Sequence, residues 1–180
     1  MGYAGGTSPG PTYANIGDHI ESLEVHFDPE VVNYTDLLEV FAGAHDTTAR
    51  AFSRQYISAL FPVDGKQEAE ARAFLEALAE ELGGTPVTEV SVGVRFYPAE
   101  DYHQKFYLQA ESALWAELRE RFGSFDEAVL SNEAARINGY LGGFGTYRDL
   151  SGEIGEFGLS DAGADLLLDI VRLRDRDGGL

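Results

Sequence analysis

Between Ile20 and Phe96 the apolar residues change period from one stretch to the next, and that alternation limits the folds open to this chain. In "IESLEVHF" (20–27), Leu23, Val25 and Phe27 alternate with polar residues, the two-residue period of a half-buried strand. Asp28-Pro29 closes it. "NYTDLLEVFAGAH" (33–45) then sets Leu37, Leu38 and Phe41 at helical spacing behind Asn33, a suitable N-cap. "QYISALFPV" (55–63) reads as a second strand, ended by Pro62 and the Asp64-Gly65 turn. Gln67 to Leu82 is the clearest helix, with Phe74, Leu75, Leu78 and Leu82 as its stripe and Gly83-Gly84 as its stop. "VTEVSVGVRF" (87–96) gives a third strand. Strands alternating with helices of this length predict a sheet covered by helices.

The flanks differ from this middle. "MGYAGGTSPGPTY" (1–13) holds four glycines and two prolines and reads as a turn-rich loop with no element of its own. Beyond Glu100 the pattern turns helical, through "AEDYHQKFYLQAESALWAELRERF" (99–122) and "FDEAVLSNEAARI" (125–137). A glycine-rich loop, "NGYLGGFG", is expected next, then a last amphipathic helix from about Asp161 to Leu173 and a frayed tail, "RDRDGGL".

A chain of 180 residues with 44% hydrophobic content has enough apolar material for one packed domain with an appendage. No apolar run reaches membrane-spanning length, and no basic-then-apolar leader opens the chain, so a cytoplasmic location is expected. The net charge of −18 repels phosphate backbones and anionic headgroups, which argues against nucleic-acid and membrane-surface roles. The cysteine count is zero. Residues 1–180 therefore hold no disulfide, no thiolate metal site and no cysteine nucleophile.

Polar and aromatic residues mark one candidate pocket. His19 and Glu21 stand two apart in a strand-like segment and so share a face. Tyr13 and Tyr56 could bring phenolic donors to the same place. A buried, protonated glutamic acid flanked by phenols can hydrogen-bond an oxygen that gains negative charge during a reaction. The same residues also read as a satisfied core acid, a capping histidine and packing tyrosines. The four histidines, His19, His26, His45 and His103, follow no metal-ligand spacing even with Asp46 and Asp101 beside two of them, so no metal is expected.

Taken in order, "GYAGG", "PTY", "HIE" followed by "FDP", "YTDLLEVF" ending in His-Asp, "QYISALF", "TEV" and "FYPAEDYHQKFYL" resemble peptide methionine sulfoxide reductase A. The resemblance spans Gly2 to Leu108. It implies a reductase-like domain over 1–108 and a mostly helical extension over 109–180. It also implies an α+β, ferredoxin-like sandwich, and reduction of methionine-S-sulfoxide, free or in proteins, by thiol chemistry with thioredoxin as external reductant and no bound cofactor. By motif, Glu21 corresponds to the acid that protonates the sulfoxide oxygen. Tyr13 and Tyr56 correspond to the phenols that hold that oxygen, with His19 and His103 in supporting positions.

The departures are as informative. The family's Gly-Cys-Phe-Trp-Gly turn, which carries the nucleophilic cysteine and two aromatics that cage the methyl group, has no counterpart here, and the sole tryptophan is Trp115. "HDTTARAFSRQY" is shorter than the corresponding family loop and lacks its aspartate. Serine or tyrosine cannot substitute for the missing sulfur, because an oxygen nucleophile cannot take up the sulfoxide oxygen as a sulfenic acid does. The chain as written is expected not to turn over. In the family that turn precedes the string matching "GYAGG" and brings the first strand and helix of the domain, so the resemblance implies that Met1 is not the natural start. The competing expectations are an inactive sulfoxide-binding module and a protein-interaction module built on the acidic surface and helical extension.

Overall fold

The computed structural model describes residues 1–176, which form two compact units, one from Met1 to Glu100 and one from Asp101 onward. The first is an α+β unit built from short pieces. Its elements are β1 (Gly2–Ala4), β2 (Ile20–Ser22), α1 (Tyr34–Gly43), a 3₁₀ turn at Arg54–Tyr56, β3 (Ala59–Leu60), α2 (Gly65–Leu82), β4 (Glu89–Val90) and β5 (Tyr97–Pro98). Two small sheets replace the single expected one. The first has the order β2-β1-β5, antiparallel throughout, and the second is the parallel pair β3-β4, joined by the crossover helix α2.

The opening stretch, expected to be loop, supplies the central strand of the larger sheet. Glycine and tyrosine there are placed by their partners on both sides, not by their own propensity. The strand expected over 20–27 stops at Ser22, because β1 offers backbone partners only from Ile20 to Ser22. Beyond it Leu23 is 73% exposed and Val25 is exposed too, so their alternation marks no buried face. The segment 55–63 pairs only at Ala59 and Leu60. The expected third strand is split, since Gly93 turns the backbone with φ of 70° and sends Glu89–Val90 and Tyr97–Pro98 to different sheets.

Both helices of this unit start where their capping residues stand. Asn33 accepts from Asp36 N–H while the Asp36 carboxylate accepts from Asn33 N–H, a reciprocal capping box. Asp64 caps α2 through Gln67 N–H at 2.8 Å. The expected stripe on α2 is only half-buried and Leu82 is exposed; the buried residue of that helix is Ala71.

The second unit is helical: a 3₁₀ turn at Asp101–His103, α3 (Phe106–Ala110), α4 (Ser112–Phe122), α5 (Phe125–Leu130), α6 (Asn132–Leu141), α7 (Tyr147–Glu153), a 3₁₀ turn at Ile154–Glu156 and α8 (Asp161–Arg176). The residues Asp101 to Leu108, which the family strings include, pack as part of this unit. Its core gathers Leu108, Leu114, Leu118, Ile137, Leu150, Phe157, Leu167 and Val171, all essentially inaccessible to solvent. The glycine-rich stretch expected to be loop begins as helix, because α6 runs through to Leu141. Of the tail expected to fray, Arg174 to Arg176 close α8, and the last four residues lie outside the described residues. Arg174 donates to the Tyr140 and Leu141 carbonyls, which ties the end of α8 to the end of α6. No described helix is long and apolar enough to cross a membrane.

Candidate functional site

The site grows from the register of the three-stranded sheet. Tyr3 stands directly opposite Glu21 on one side and Tyr97 on the other. Directly paired residues of antiparallel strands project to one face, so Glu21, Tyr3 and Tyr97 form a row across it. His19, two residues before Glu21, shares that face, and its ring meets Tyr97 edge-on at 5.4 Å. The opposite face carries Ala4 and Ile20, both buried.

Glu21 is half-buried, and its Oε1 accepts a 2.5 Å hydrogen bond from Gln55 Nε2. Gln55 lies in the 3₁₀ turn beside Tyr56, so this bond anchors the acid to the segment that bears the second phenol. Tyr3 Oη donates to Glu100 Oε2 at 2.7 Å, and Glu100 Oε1 accepts from Tyr13 N–H at 2.9 Å. Tyr13 is thus tied by its backbone N–H, through Glu100, to Tyr3 of that row. Both phenol-bearing residues are about half exposed, Tyr13 at 52% and Tyr56 at 48%.

His19 and Asp18 organise the opening loop around this row. His19 is 1% exposed; its Nδ1 accepts from Gly6 N–H and its Nε2 donates to the Ser8 carbonyl at 2.8 Å. A Cβ on Gly6 would meet the His19 ring at 2.6 Å and the Asp18 carboxylate at 2.7 Å, so the turn requires glycine there. Asp18 accepts from the backbone N–H groups of Thr7 and Ser8 and from the Thr7 hydroxyl. The backbone donors of Ser8 and Thr7, and then their side chains, hold its carboxyl well below the usual carboxylate range.

Arg54 fixes the 3₁₀ turn from outside. Its guanidinium donates to the carbonyls of Asp18 and Gly5 and to both oxygens of Glu89, so all three nitrogens are engaged. Phe52, just before the turn, packs its ring against Tyr56 at 5.3 Å and a 45° tilt.

Of the residues read from the sequence, the structure therefore brings Glu21, His19, Tyr13 and Tyr56 into one connected arrangement. His103 belongs to the second unit, where its ring lies 4.2 Å from that of Tyr102. The remaining histidines have separate surroundings: His26 bonds Glu24 and His45 bonds the Ser58 hydroxyl. Among the described residues no three or more His, Asp or Glu side chains stand together as metal ligands. The connecting residues Tyr3, Gln55, Arg54 and Glu100 were not legible as such. Tyr3, Gln55 and Glu100 all sit inside the quoted family strings, but bonds spanning 34 to 97 positions leave no local signature. Chemically, the arrangement offers a half-buried carboxyl held through one oxygen, with the Tyr3 side chain opposite it on the same sheet face. That set suits an oxygen able to accept hydrogen bonds and then a proton.

Comparison with known proteins agrees with the strings. A family model described as peptide methionine sulfoxide reductase matches residues 1–131, which extends past the Gly2–Leu108 resemblance to the end of α5. A peptide methionine sulfoxide reductase of Drosophila melanogaster is 36% identical over 166 residues, covering 89% of this chain and 65% of the relative. The corresponding protein MsrA of Deinococcus radiodurans is 36% identical over 152 residues, 78% of this chain and 69% of its own length. That of Chromobacterium violaceum is 38% identical over 128 residues, 65% and 73% respectively. The chain thus spans about two thirds of the length of these relatives. It belongs to the peptide methionine sulfoxide reductase family.

Proposed function

We propose that this domain carries the oxygen-handling half of a peptide-methionine (S)-S-oxide reductase site. Glu21 supplies the proton to the sulfoxide oxygen, and the Tyr13 and Tyr56 hydroxyls hold that oxygen as the S–O bond lengthens. A thiolate attacks the sulfoxide sulfur and the oxygen leaves the substrate with that proton. Methionine departs, and the thiol sulfur is left as a sulfenic acid. A dithiol partner such as thioredoxin then reduces the sulfenic acid, releasing water and becoming a disulfide. The acid matters because an unprotonated sulfoxide oxygen is a poor leaving group.

The observation that carries this reading is the Gln55–Glu21 hydrogen bond, which joins the acid to the turn bearing Tyr56. The wider fold we assign, on the family resemblance, is a ferredoxin-like sandwich, although β3 and β4 pair directly where the split βαβ units of that fold set a strand between. A cytoplasmic setting, where dithiols stay reduced, fits the same chemistry.

Residues 1–180 contain no cysteine, so the sulfur must come from outside them. The zero count also supports a second reading, in which the domain recognises sulfoxide without reducing it. Both readings predict that residues 1–180 bind methionine-(S)-sulfoxide in preference to the (R) epimer and give no turnover in a thioredoxin-coupled assay. Turnover by these residues alone would refute the chemical argument, and equal affinity for both epimers would remove the site. Activity restored by a cysteine-bearing segment added in trans or in line separates the first reading from the second.

A further inference from the structure

We propose that Arg95, seated over the Tyr97 ring, forms a carboxylate subsite at the end of the Glu21 row, so that this chain takes best a methionine sulfoxide with a carboxylate close beside it. The inference rests on the reading of Glu21, Tyr13 and Tyr56 as a sulfoxide site.

The cations of the first unit are Arg50, Arg54, Lys66, Arg72 and Arg95. Arg54, Lys66 and Arg72 pair with Glu89, Glu70 and Glu68 respectively. Arg95 is exposed and has no carboxylate or carbonyl partner among the described residues, yet it is placed. Its Cζ stands 4.6 Å from the centroid of the Tyr97 ring. Tyr97 is itself held, by its register opposite Tyr3 and by the edge of the buried His19 ring. A guanidinium fixed by a ring spends no N–H donor on a hydrogen bond. Its planar fork stays open to a carboxylate, which it fits with two parallel bonds.

Glu21, Tyr3 and Tyr97 stand on neighbouring strands, so Arg95 joins the row at the end opposite Glu21. Two strand spacings, about 10 Å, separate the two ends. A methionine sulfoxide with its oxygen at Glu21 reaches across that span with its own side chain and one neighbouring group, and a carboxylate arriving there meets Arg95. The other charges nearby are taken: Asp18 by Thr7 and Ser8, Glu100 by Tyr3 and Tyr13, and Arg54 by Glu89 and two carbonyls. The chain's net charge of −18 opposes an anionic ligand everywhere else, so any gain from a carboxylate must be local. The side chain of an adjacent Asp or Glu and the terminal carboxylate of the ligand itself offer the same group to Arg95.

The test is a set of NMR titrations of residues 1–180 with four ligands. Two are neutral, N-acetyl-L-methionine-(S)-sulfoxide N-methylamide and the same sulfoxide followed by an asparagine N-methylamide. Two are anionic, N-acetyl-L-methionine-(S)-sulfoxide with its free carboxylate and the sulfoxide followed by an aspartate N-methylamide. At least one anionic ligand should bind about fivefold more tightly than its neutral counterpart, and which one does so identifies the source of the carboxylate. R95Q and high salt should each erase that preference while leaving the neutral ligands unchanged, and R50Q should keep it. If the neutral ligands bind but neither carboxylate adds affinity, the subsite is wrong while the sulfoxide site stands. A preference that survives R95Q or disappears in R50Q overturns it too, as does an R95Q variant that weakens all four ligands equally, which would make Arg95 only a support for Tyr97. If no ligand binds, the sulfoxide reading fails and takes the subsite with it.

Discussion

The two units of the chain are held together by different means. From Asp101 onward, helices α3, α4, α6, α7 and α8 bury one apolar cluster, and Arg174 and other polar side chains secure their ends. In residues 1–100 the strands are two or three residues long, and much of what fixes them is polar: Asp18 on Thr7 and Ser8, His19 on Gly6 and Ser8, Glu100 between Tyr3 and Tyr13, and Arg54 across Gly5, Asp18 and Glu89. Apolar burial is non-directional and tolerates small displacements, whereas a hydrogen bond specifies where an atom sits. The candidate site lies in the unit whose geometry is set by hydrogen bonds. Its exposed apolar residues, Leu23, Val25, Phe52 and Val63, show how little of that unit's construction depends on a sealed core.

The contrast can be broken at its strongest point first. Phe157→Ala removes a ring that is fully buried in the helical cluster and should cost about 3–5 kcal/mol in urea unfolding. A loss under 1 kcal/mol would mean that the cluster does not carry the second unit. His19→Ala leaves a cavity and deprives Gly6 N–H and the Ser8 carbonyl of their partner, at a cost of about 2–3 kcal/mol. His19→Leu should recover little of that, because the two backbone groups stay unpaired.

The two units should also respond to opposite ends of the pH scale. The Asp18 carboxyl is held below its ordinary value of 3.8, so its support for the opening loop is present above that value and is lost as pH falls below it through the folded-state value. The Thr7 and Ser8 amide resonances should therefore move only in strong acid, and D18N should abolish that movement. In the second unit burial, reinforced by Glu153, pushes the Tyr140 phenol up to about 12. Its contribution is complete below the ordinary value of 10 and is lost as pH rises through 12, a step that Y140F should erase from an alkaline ultraviolet titration. The smallest effect is expected from Arg54→Met, about 1 kcal/mol in stability, because this side chain is partly solvated. The same substitution should nonetheless shift the Gln55 side-chain amide resonance, since it frees the turn that positions Gln55.

How much could be read from the sequence follows the same division. In the second unit the helical texture follows from apolar spacing, but the run over 99–122 divides into a 3₁₀ turn, α3 and α4, and that over 125–137 divides at Ser131, whose side chain caps α6. The short helix α7 has no counterpart in the apolar spacing, because its seven residues follow a glycine-rich run that reads as loop. In the first unit, the 20–27 alternation predicted a strand that has partners for only three residues. The opening glycines gave no hint of the central strand they form, since pairing with residues some 20 and 95 positions away decides it. Glu21, Tyr13 and Tyr56 are candidates through the family strings alone. The bonds that assemble them leave no trace in those strings, because each joins segments far apart in the chain.

The central claim is that the Glu21–Gln55–Tyr56 segment, with Tyr13, receives a sulfoxide oxygen. An NMR titration of residues 1–180 with N-acetyl-L-methionine-(S)-sulfoxide N-methylamide, set beside the sulfur-reduced methionine analogue, tests it most directly. The account predicts saturable shifts centred on the Gln55 side-chain amide and the Tyr13 and Tyr56 backbone amides, about tenfold weaker in Y56F and absent with the thioether. Equal response to the thioether, or shifts confined to residues beyond Glu100, would contradict it.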